Sequence, residues 1–222
     1  MSLRAVLLDA EGTLVHIHPS VGQVYARVLA EEGLKLDPDL LDARIREIWP
    51  RYRGLFRKGI SPRGCRRLWA RIFEEVMAPW LNGEPRKPLF EKIYRAFAQP
   101  ENFRLAPGAR EALQYLRERS LTVAVLSNWD ERLPQLLSSL GLRDYFARIF
   151  VACEMGVGKP HPQAFHRACK VLGVAPGETL MVGNDPEDDY LGALRAGLRA
   201  RLYRGENLLE LLCEEVEGGR CG

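Results

Sequence analysis

The 222-residue sequence predicts an α/β fold, in which a Rossmann-like parallel sheet carries helices on both faces and an all-helical domain is inserted. Two patterns predict this architecture. After residue 100, short apolar runs alternate with amphipathic segments, as is typical of a parallel sheet with crossover helices. Before residue 100, one apolar run at the amino terminus is followed only by helical patterns. Residues 1–14 and 101–222 are therefore expected to form the α/β core domain, and residues 15–100 the four-helix insertion.

The first strand is predicted at residues 5–8, where four consecutive apolar side chains are typical of a strand buried on both faces. It ends at Asp9, and Gly12 allows a sharp turn shortly afterwards. Ligands of open α/β sheets bind beyond the carboxyl ends of the strands, which makes Asp9 the first candidate functional residue. Because an aspartate before a turn is ordinary by itself, this assignment depends on the side chains at the ends of the other strands.

The insertion is expected to contain four amphipathic helices and no strand. The stretch from His16 to Pro19 is predicted to be a connector. Asp37 followed by Pro38 is typical of a helix start, and Pro50 is expected to end that helix.

A basic segment within the insertion, residues 42–71, holds ten Arg or Lys side chains against two acidic ones. The segment either forms a solvated helix surface or creates a positive electrostatic field that attracts an anionic substrate. The net charge of +3 is too small to predict nucleic-acid binding, and no interleaved aromatic and basic motif is present. No apolar run approaches the ~18 residues of a membrane span, so no membrane partner is expected.

The five cysteines are odd in number, widely spaced and without a CxxC pair, which argues against a disulfide framework and against a zinc knuckle. We therefore expect a reducing, cytoplasmic environment. Residues 1–8 are too short for a signal peptide and lead directly into the first strand.

The second half of the chain is predicted to complete the sheet with strands at residues 121–126, 149–151, 179–182 and 198–203. The helices that accompany these strands are predicted at residues 107–119, 130–140, 162–172 and 191–196. Asp130 is expected to be the N-cap of the second of these helices.

Candidate functional side chains follow four of the predicted strands. They are Asp9 and Glu11 after the first, Ser127 and Asn128 after the second, Lys159 after the third, and Asn184, Asp185, Asp188 and Asp189 after the fourth. A hydroxyl and backbone N–H groups near a helix start suit a phosphate. Crowded carboxylates are costly unless a cation lies among them, which suits Mg²⁺. Each feature alone has an ordinary explanation, but their recurrence at four strand ends favours an active site.

The motifs Asp9-x-x-Gly12-Thr13-Leu14, Ser127-Asn128, Lys159-Pro160 and Gly183-x-x-x-x-x-Asp189-x-x-Gly192-Ala193 resemble the four motifs of the haloacid dehalogenase-like hydrolases. The resemblance covers nearly the whole chain. It implies that the insertion is the alpha-helical cap domain of that superfamily, and that the protein is a phosphatase of a small anionic phosphorylated substrate.

The resemblance also implies roles for individual residues. Asp9 would attack phosphorus to form an aspartyl-phosphate, Glu11 would act as the acid and base, and Lys159 would screen charge. Ser127, Asn128 and Lys159 would bind the phosphate. The Mg²⁺ cofactor would be held by Asp9, Glu11 through its backbone carbonyl, Asn184, Asp185 and Asp189, with Asp188 as a further candidate.

Two positions depart from the phosphatase pattern, because Glu11 and Asn184 stand where the superfamily usually has aspartate. A longer acid changes reach and orientation, and an amide binds a cation without contributing a charge. Two alternatives therefore stay open. One is a metal-independent 2-haloacid dehalogenase with Asp9 as nucleophile, and the other is a weakened relative that binds or regulates. The sequence predicts neither the physiological substrate nor the oligomeric state.

Overall fold

The computed structural model describes residues 2–58, 61–81 and 86–217, and its centre is a parallel sheet. The strands in these residues are β1 (Ala5–Leu8), β2 (Val15–Ile17), β3 (Phe103–Leu105), β4 (Thr122–Ser127), β5 (Arg148–Val151), β6 (Thr179–Gly183) and β7 (Arg199–Leu202). Five of them form the sheet, in the order β5-β4-β1-β6-β7, and every neighbouring pair is parallel. The predicted α/β class is confirmed.

The α-helices of the described residues lie in the insertion and around the sheet. They are α1 (Val21–Glu31), α2 (Pro38–Arg57), α3 (Pro62–Met77), α4 (Arg86–Ala96), α5 (Ala109–Glu118), α6 (Leu133–Ser139), α7 (Ala152–Met155), α8 (Pro162–Leu172), α9 (Gly192–Arg195) and α10 (Leu208–Glu217). The short α7 and the terminal α10 were not predicted from the sequence. None of the helices in this part of the chain is both long and apolar enough to cross a membrane.

The central strand β1 is buried on both faces, as its four apolar residues predict. Val6 and Leu8 belong to one apolar cluster, with α5, α6 and α10, whereas Leu7 packs on the opposite face with Phe165 of α8. Side chains alternate along a strand, so an uninterrupted apolar run serves both layers. This position in the middle of the sheet puts Asp9 at the centre of the carboxyl edge.

Helices α1 to α4, here called the helical insertion, bury an apolar cluster of their own, separate from the clusters on the two faces of the sheet. The insertion joins the sheet domain through a ribbon in which β2 pairs antiparallel with β3. The stretch predicted as a connector therefore begins as a strand. Val15 is buried there, and His16 faces Arg104 across the ribbon. The strand is only three residues long, which is too short for an alternating apolar pattern to reveal it in the sequence.

Helix α2 continues through Pro50 to Arg57, so the predicted end at the proline is wrong. A proline removes one backbone donor, which is a local cost. Beyond it, Tyr52 and Phe56 are buried in the cluster of the insertion, and the ring of Phe56 packs 4.9 Å from that of Trp69. This burial compensates for the lost hydrogen bond and extends the helix towards the sheet domain.

Helix α6 begins at Leu133 rather than after the predicted N-cap Asp130. The Asp130 carboxylate instead accepts hydrogen bonds from the Arg132 backbone N–H at 3.1 Å and from Arg132 Nε at 2.8 Å. Arg132 Nη1 in turn donates to the backbone oxygen of Tyr94 in α4 at 2.8 Å. This buried ion pair therefore ties the helical insertion to the sheet domain instead of capping a helix.

A disulfide joins Cys65 of α3 to Cys153 of α7, with Cα atoms 6.2 Å apart. The expectation that the cysteines form no disulfide is wrong for this pair. The two residues are 88 positions apart in the chain, so no local spacing marks them, and only the packing of α3 against α7 brings them together. Cys221 lies outside the described residues.

Candidate active site

Three charged side chains meet at the carboxyl edge of the sheet. Lys159 Nζ lies 2.6 Å from Asp9 Oδ1 and 2.6 Å from Asp189 Oδ1. The three residues are deeply buried, with exposed fractions of 2% for Lys159, 7% for Asp9 and 1% for Asp189. One cation faces two carboxylates, so the cluster can accept a further positive charge or a proton.

The strands set these positions. Leu8 at the end of β1 is aligned with Val182 of β6, and the Asp9 N–H donates to the Val182 oxygen at 2.9 Å. Asp189 folds back onto the end of β6, where a Cβ on Gly183 would lie 2.2 Å from Asp189 Oδ2. Glycine at this position allows the carboxylate to approach the strand and face Lys159.

Burial controls the ionisation of this cluster. It raises the pKa of the Asp9 carboxyl to about 7, against the lowering effect of the Lys159 ammonium and with a further rise from Asp189. Burial alone would lower the pKa of Lys159, but the charges of Asp189 and Asp9 outweigh it and raise that pKa. Lys159 is therefore a fixed cation at neutral pH, whereas the charge of Asp9 depends on what is bound beside it.

Ser127 is the last residue of β4, the strand that pairs with β1, and Asn128 follows it. Ser127 is buried, and its Oγ accepts a hydrogen bond from the Trp129 N–H at 3.3 Å. Asn128 Nδ2 donates to the backbone oxygen of Lys159 at 2.8 Å, and Asn128 Oδ1 accepts from the Lys159 N–H at 2.8 Å. A Cβ on Gly158 would lie 2.5 Å from Asn128 Oδ1. The Asn128 side chain thus fixes the main chain of Lys159, a role that sequence reasoning missed.

Glu11 lies in the turn after β1 and keeps contact with solvent. Enclosure by the surrounding protein raises the pKa of this carboxyl, while the Ile17 N–H acts to lower it. Asn184 packs against the same turn, because its Oδ1 accepts a hydrogen bond from the Thr13 hydroxyl at 3.4 Å. Gly12 has a φ of +87°, and a Cβ there would lie 2.3 Å from Asn184 Nδ2.

Asp185 and Asp188 are paired with cations of the helical insertion, which sequence reasoning also missed. Arg53 forms a salt bridge with Asp185 and lies 3.2 Å from Asp188 Oδ2. Arg57 Nε donates to Asp188 Oδ2 at 3.1 Å, and its Nη2 lies 2.7 Å from Asp188 Oδ1. The only signal in the sequence was the basic segment 42–71, which the fold places opposite the acidic run.

The oxygen donors beside Asp9 suit a hard cation such as Mg²⁺. Asp9 offers a carboxylate, and Asn184 an amide oxygen against the turn that contains Glu11. Asp185, a predicted ligand, faces Arg53 instead. Across residues 2–58, 61–81 and 86–217, no group of three or more His, Cys, Asp or Glu side chains is arranged to hold a metal.

Comparisons with known proteins point to one family. The model of the haloacid dehalogenase-like hydrolases matches residues 3–197. Haloacid dehalogenase-like hydrolase domain-containing protein 3 of Xenopus laevis is 32% identical over 206 residues, which cover 91% of this chain and 84% of that protein. Phosphoserine phosphatase of Thermus thermophilus is 31% identical over 224 residues, with coverages of 89% and 87%. The solved L-2-haloacid dehalogenase of Xanthobacter autotrophicus has a TM-score of 0.68 and 26% identity, and the match covers 99% of this chain and 85% of that one.

Proposed function

Since the chain belongs to the haloacid dehalogenase-like hydrolases, we propose that it is a Mg²⁺-dependent phosphatase of a small phosphorylated metabolite, acting through an aspartyl-phosphate at Asp9. The observation that carries the proposal is Glu11. Its carboxyl has a raised pKa and lies in the turn directly after Asp9, at the position to which the motif resemblance gives the role of protonating the leaving ester oxygen. Cleavage of a carbon–halogen bond requires no such acid.

The reaction would proceed in two displacements at phosphorus. An Asp9 oxygen attacks phosphorus, the bond to the ester oxygen breaks, and Glu11 gives its proton to that oxygen. A water then attacks the phosphorus of the aspartyl-phosphate, Glu11 takes the proton of the water, and Asp9 leaves as a carboxylate. Lys159 offsets the charge of the phosphoryl oxygens in both steps, and the Ser127 hydroxyl and the Asn128 backbone N–H would donate to them.

Charge repulsion is the main obstacle to the first displacement. Two like unit charges ~4 Å apart repel by roughly 1 to 4 kcal/mol, depending on the local dielectric. Lys159 supplies one cation, which Asp189 shares. A Mg²⁺ ion held by Asp9, Asn184 and the Glu11 carbonyl would supply the remaining positive charge.

The test of this proposal compares the products that the protein releases. We expect inorganic phosphate from an aryl phosphate, and from at least one member of a panel of phosphorylated metabolites that includes phosphoserine, only when Mg²⁺ is added. Halide release from 2-haloacids without metal would identify a dehalogenase. Turnover of neither class would favour a binding or regulatory role.

Replacing Glu11 by glutamine keeps the size of the side chain and removes the acid. We expect Glu11→Gln to lower kcat for an alkyl phosphate by roughly 10²- to 10⁴-fold, because an alkoxide needs a proton to leave. Nitrophenolate leaves without one, so stopped-flow mixing with 4-nitrophenyl phosphate should still show a burst of nitrophenol. Glu118→Gln, on the exposed end of α5, is the control. Loss of the burst in Glu11→Gln would contradict the role of Glu11 as the acid.

Replacing Asn184 by aspartate restores the missing charge at the proposed cation site. We expect Asn184→Asp to lower the Mg²⁺ concentration for half-maximal activity by about tenfold. The added carboxylate lies against the turn that follows Asp9, so Mg²⁺ should also raise Tm more in the variant than in the wild type. Asn207→Asp, which keeps an oxygen acceptor at the start of α10, should change neither quantity. Unchanged Mg²⁺ dependence in Asn184→Asp would mean that the cation binds elsewhere.

A further inference from the structure

The carboxyl-terminal end of α2 reaches from the helical insertion to the loop that contains Lys159. The backbone oxygen of Arg57 accepts a hydrogen bond from the Gly158 N–H at 3.2 Å. A Cβ on Gly158 would lie 3.1 Å from the backbone oxygen of Phe56, so this approach of helix and loop is close. The last turn of α2 therefore packs directly against the residue that precedes Lys159.

The Arg57 side chain reaches the same loop by a second route. Its guanidinium makes a two-pronged contact with the Asp188 carboxylate, at 3.1 Å and 2.7 Å. Asn128 Nδ2 lies 3.4 Å from Asp188 Oδ2 and donates to the Lys159 oxygen at 2.8 Å. Polar contacts thus run without a break from Arg57 through Asp188 and Asn128 to the main chain of Lys159, whose ammonium faces Asp9.

The charges at this contact make it sensitive to the position of the insertion. Asp188 is buried beside Asp185, and Arg57 and Arg53 are the cations of the insertion that face the two carboxylates. Withdrawal of α2 would leave two neighbouring carboxylates without these cations. A buried carboxylate without a cation is costly, so Asp188 would turn towards water and lose its contact with Asn128.

We propose that Arg57 is a positioning residue that aligns Lys159 for catalysis only when the helical insertion is closed over the sheet domain. The expected effect of Arg57 on the rate rests on the proposed phosphatase function. The contacts between Arg57 and the Lys159 loop do not depend on that function. Asp9 and Lys159 are both buried, and α2 packs against the Lys159 loop, so we expect a substrate to enter while the insertion is displaced. Closure would then complete the site around the bound substrate.

The experiment compares Arg57→Gln with Arg51→Gln. Arg51 lies on the same helix and is the matched control, because its salt bridge to Glu75 stays within the insertion. We expect Arg57→Gln to lower kcat for an aryl phosphate by about ten- to a hundredfold with KM nearly unchanged. Amide exchange at Gly158 and Lys159 should become faster by about tenfold or more, and Arg51→Gln should show neither change.

Two further variants test the path of the coupling. Asp188→Asn should reproduce the loss in kcat, and the double variant with Arg57→Gln should lose no more than either single variant, because the two residues act as one unit. A raised KM with unchanged kcat would make Arg57 a substrate ligand and overturn the proposal. A lowered Tm with unchanged kcat and unchanged amide exchange would also overturn the proposal, because it would indicate a purely structural role for Arg57.

The two proposals can fail separately. If the wild-type protein releases no phosphate from any substrate, the phosphatase function fails. Amide exchange at Gly158 and Lys159 in Arg57→Gln then still decides whether α2 holds the lysine loop, and unchanged exchange would overturn the link itself.

Discussion

Asp9→Asn is expected to lower phosphate release by at least about a thousandfold, because an amide can neither attack phosphorus nor form the aspartyl-phosphate. The measurement is kcat for an aryl phosphate with saturating Mg²⁺. Asp144→Asn, an exposed aspartate in the turn before β5, is the control and should retain full activity. Comparable activity in Asp9→Asn and the wild type would remove Asp9 from the reaction.

Loss of activity in Asp9→Asn should not come from unfolding. Burial raises the pKa of Asp9 from its ordinary value of 3.8 to about 7, so the fold disfavours the ionised form. Without Mg²⁺, the wild type should therefore lose stability relative to Asp9→Asn as the pH rises between these two values, and the difference should persist above pH 7. Urea unfolding at pH 4 and pH 8 measures this difference. A difference in unfolding free energy that is the same at pH 4 and pH 8 would contradict the assigned ionisation.

Lys159→Met is expected to have the second largest effect, on both stability and activity. It leaves the buried carboxylates of Asp9 and Asp189 without their cation, and breaking a buried ion pair costs about 3 to 5 kcal/mol of unfolding free energy. Loss of charge screening should lower kcat by at least about a hundredfold. Denaturant unfolding without Mg²⁺ and the phosphatase assay measure the two effects.

Matched variants separate these two consequences of losing Lys159. Lys170→Met removes an exposed lysine from the last turn of α8, the helix that follows the Lys159 loop, and should change neither stability nor kcat. The double variant Lys159→Met with Asp189→Asn removes one of the stranded carboxylates, so it should regain part of the stability and none of the activity. If the single variant Lys159→Met is as stable and as active as the wild type, this lysine neither neutralises the buried carboxylates nor screens charge in the reaction.

The fold was predictable because its signals are local. A continuous apolar run such as residues 5–8 is typical of a strand that is buried on both faces of a sheet. The alternation of strand and helix patterns after residue 100 is compatible with only a few topologies. The positions of Asp9, Ser127, Lys159 and Asp189 followed from the same reasoning, since parallel strands bring their carboxyl ends to one edge. The structure brings Lys159 to Asp9 and Asp189 at that edge, and Ser127 ends the neighbouring strand β4.

The errors concern features that depend on distant parts of the chain. Pro50 is a reliable local signal for a helix end, but burial of Phe56 outweighs it and extends α2. Two acids of the run after β6, Asp185 and Asp188, face Arg53 and Arg57 of the insertion, and no local pattern marks these partners. The disulfide of α3 and α7 and the hydrogen bond from Arg132 to the Tyr94 oxygen likewise join the insertion to the sheet domain across long stretches of chain. The two partners of each contact between the insertion and the sheet domain lie far apart in the chain, so no local pattern in the sequence predicts these contacts.

Rapid acid quenching tests the covalent role of Asp9 most directly. Wild-type protein is mixed with substrate and Mg²⁺, quenched before the steady state, and digested for peptide mass spectrometry. We expect one phosphoryl group on the peptide that contains Asp9, and none on that peptide in Asp9→Asn. Phosphate release by the wild type with the phosphoryl group on another residue, or on none at any quench time, would contradict the account.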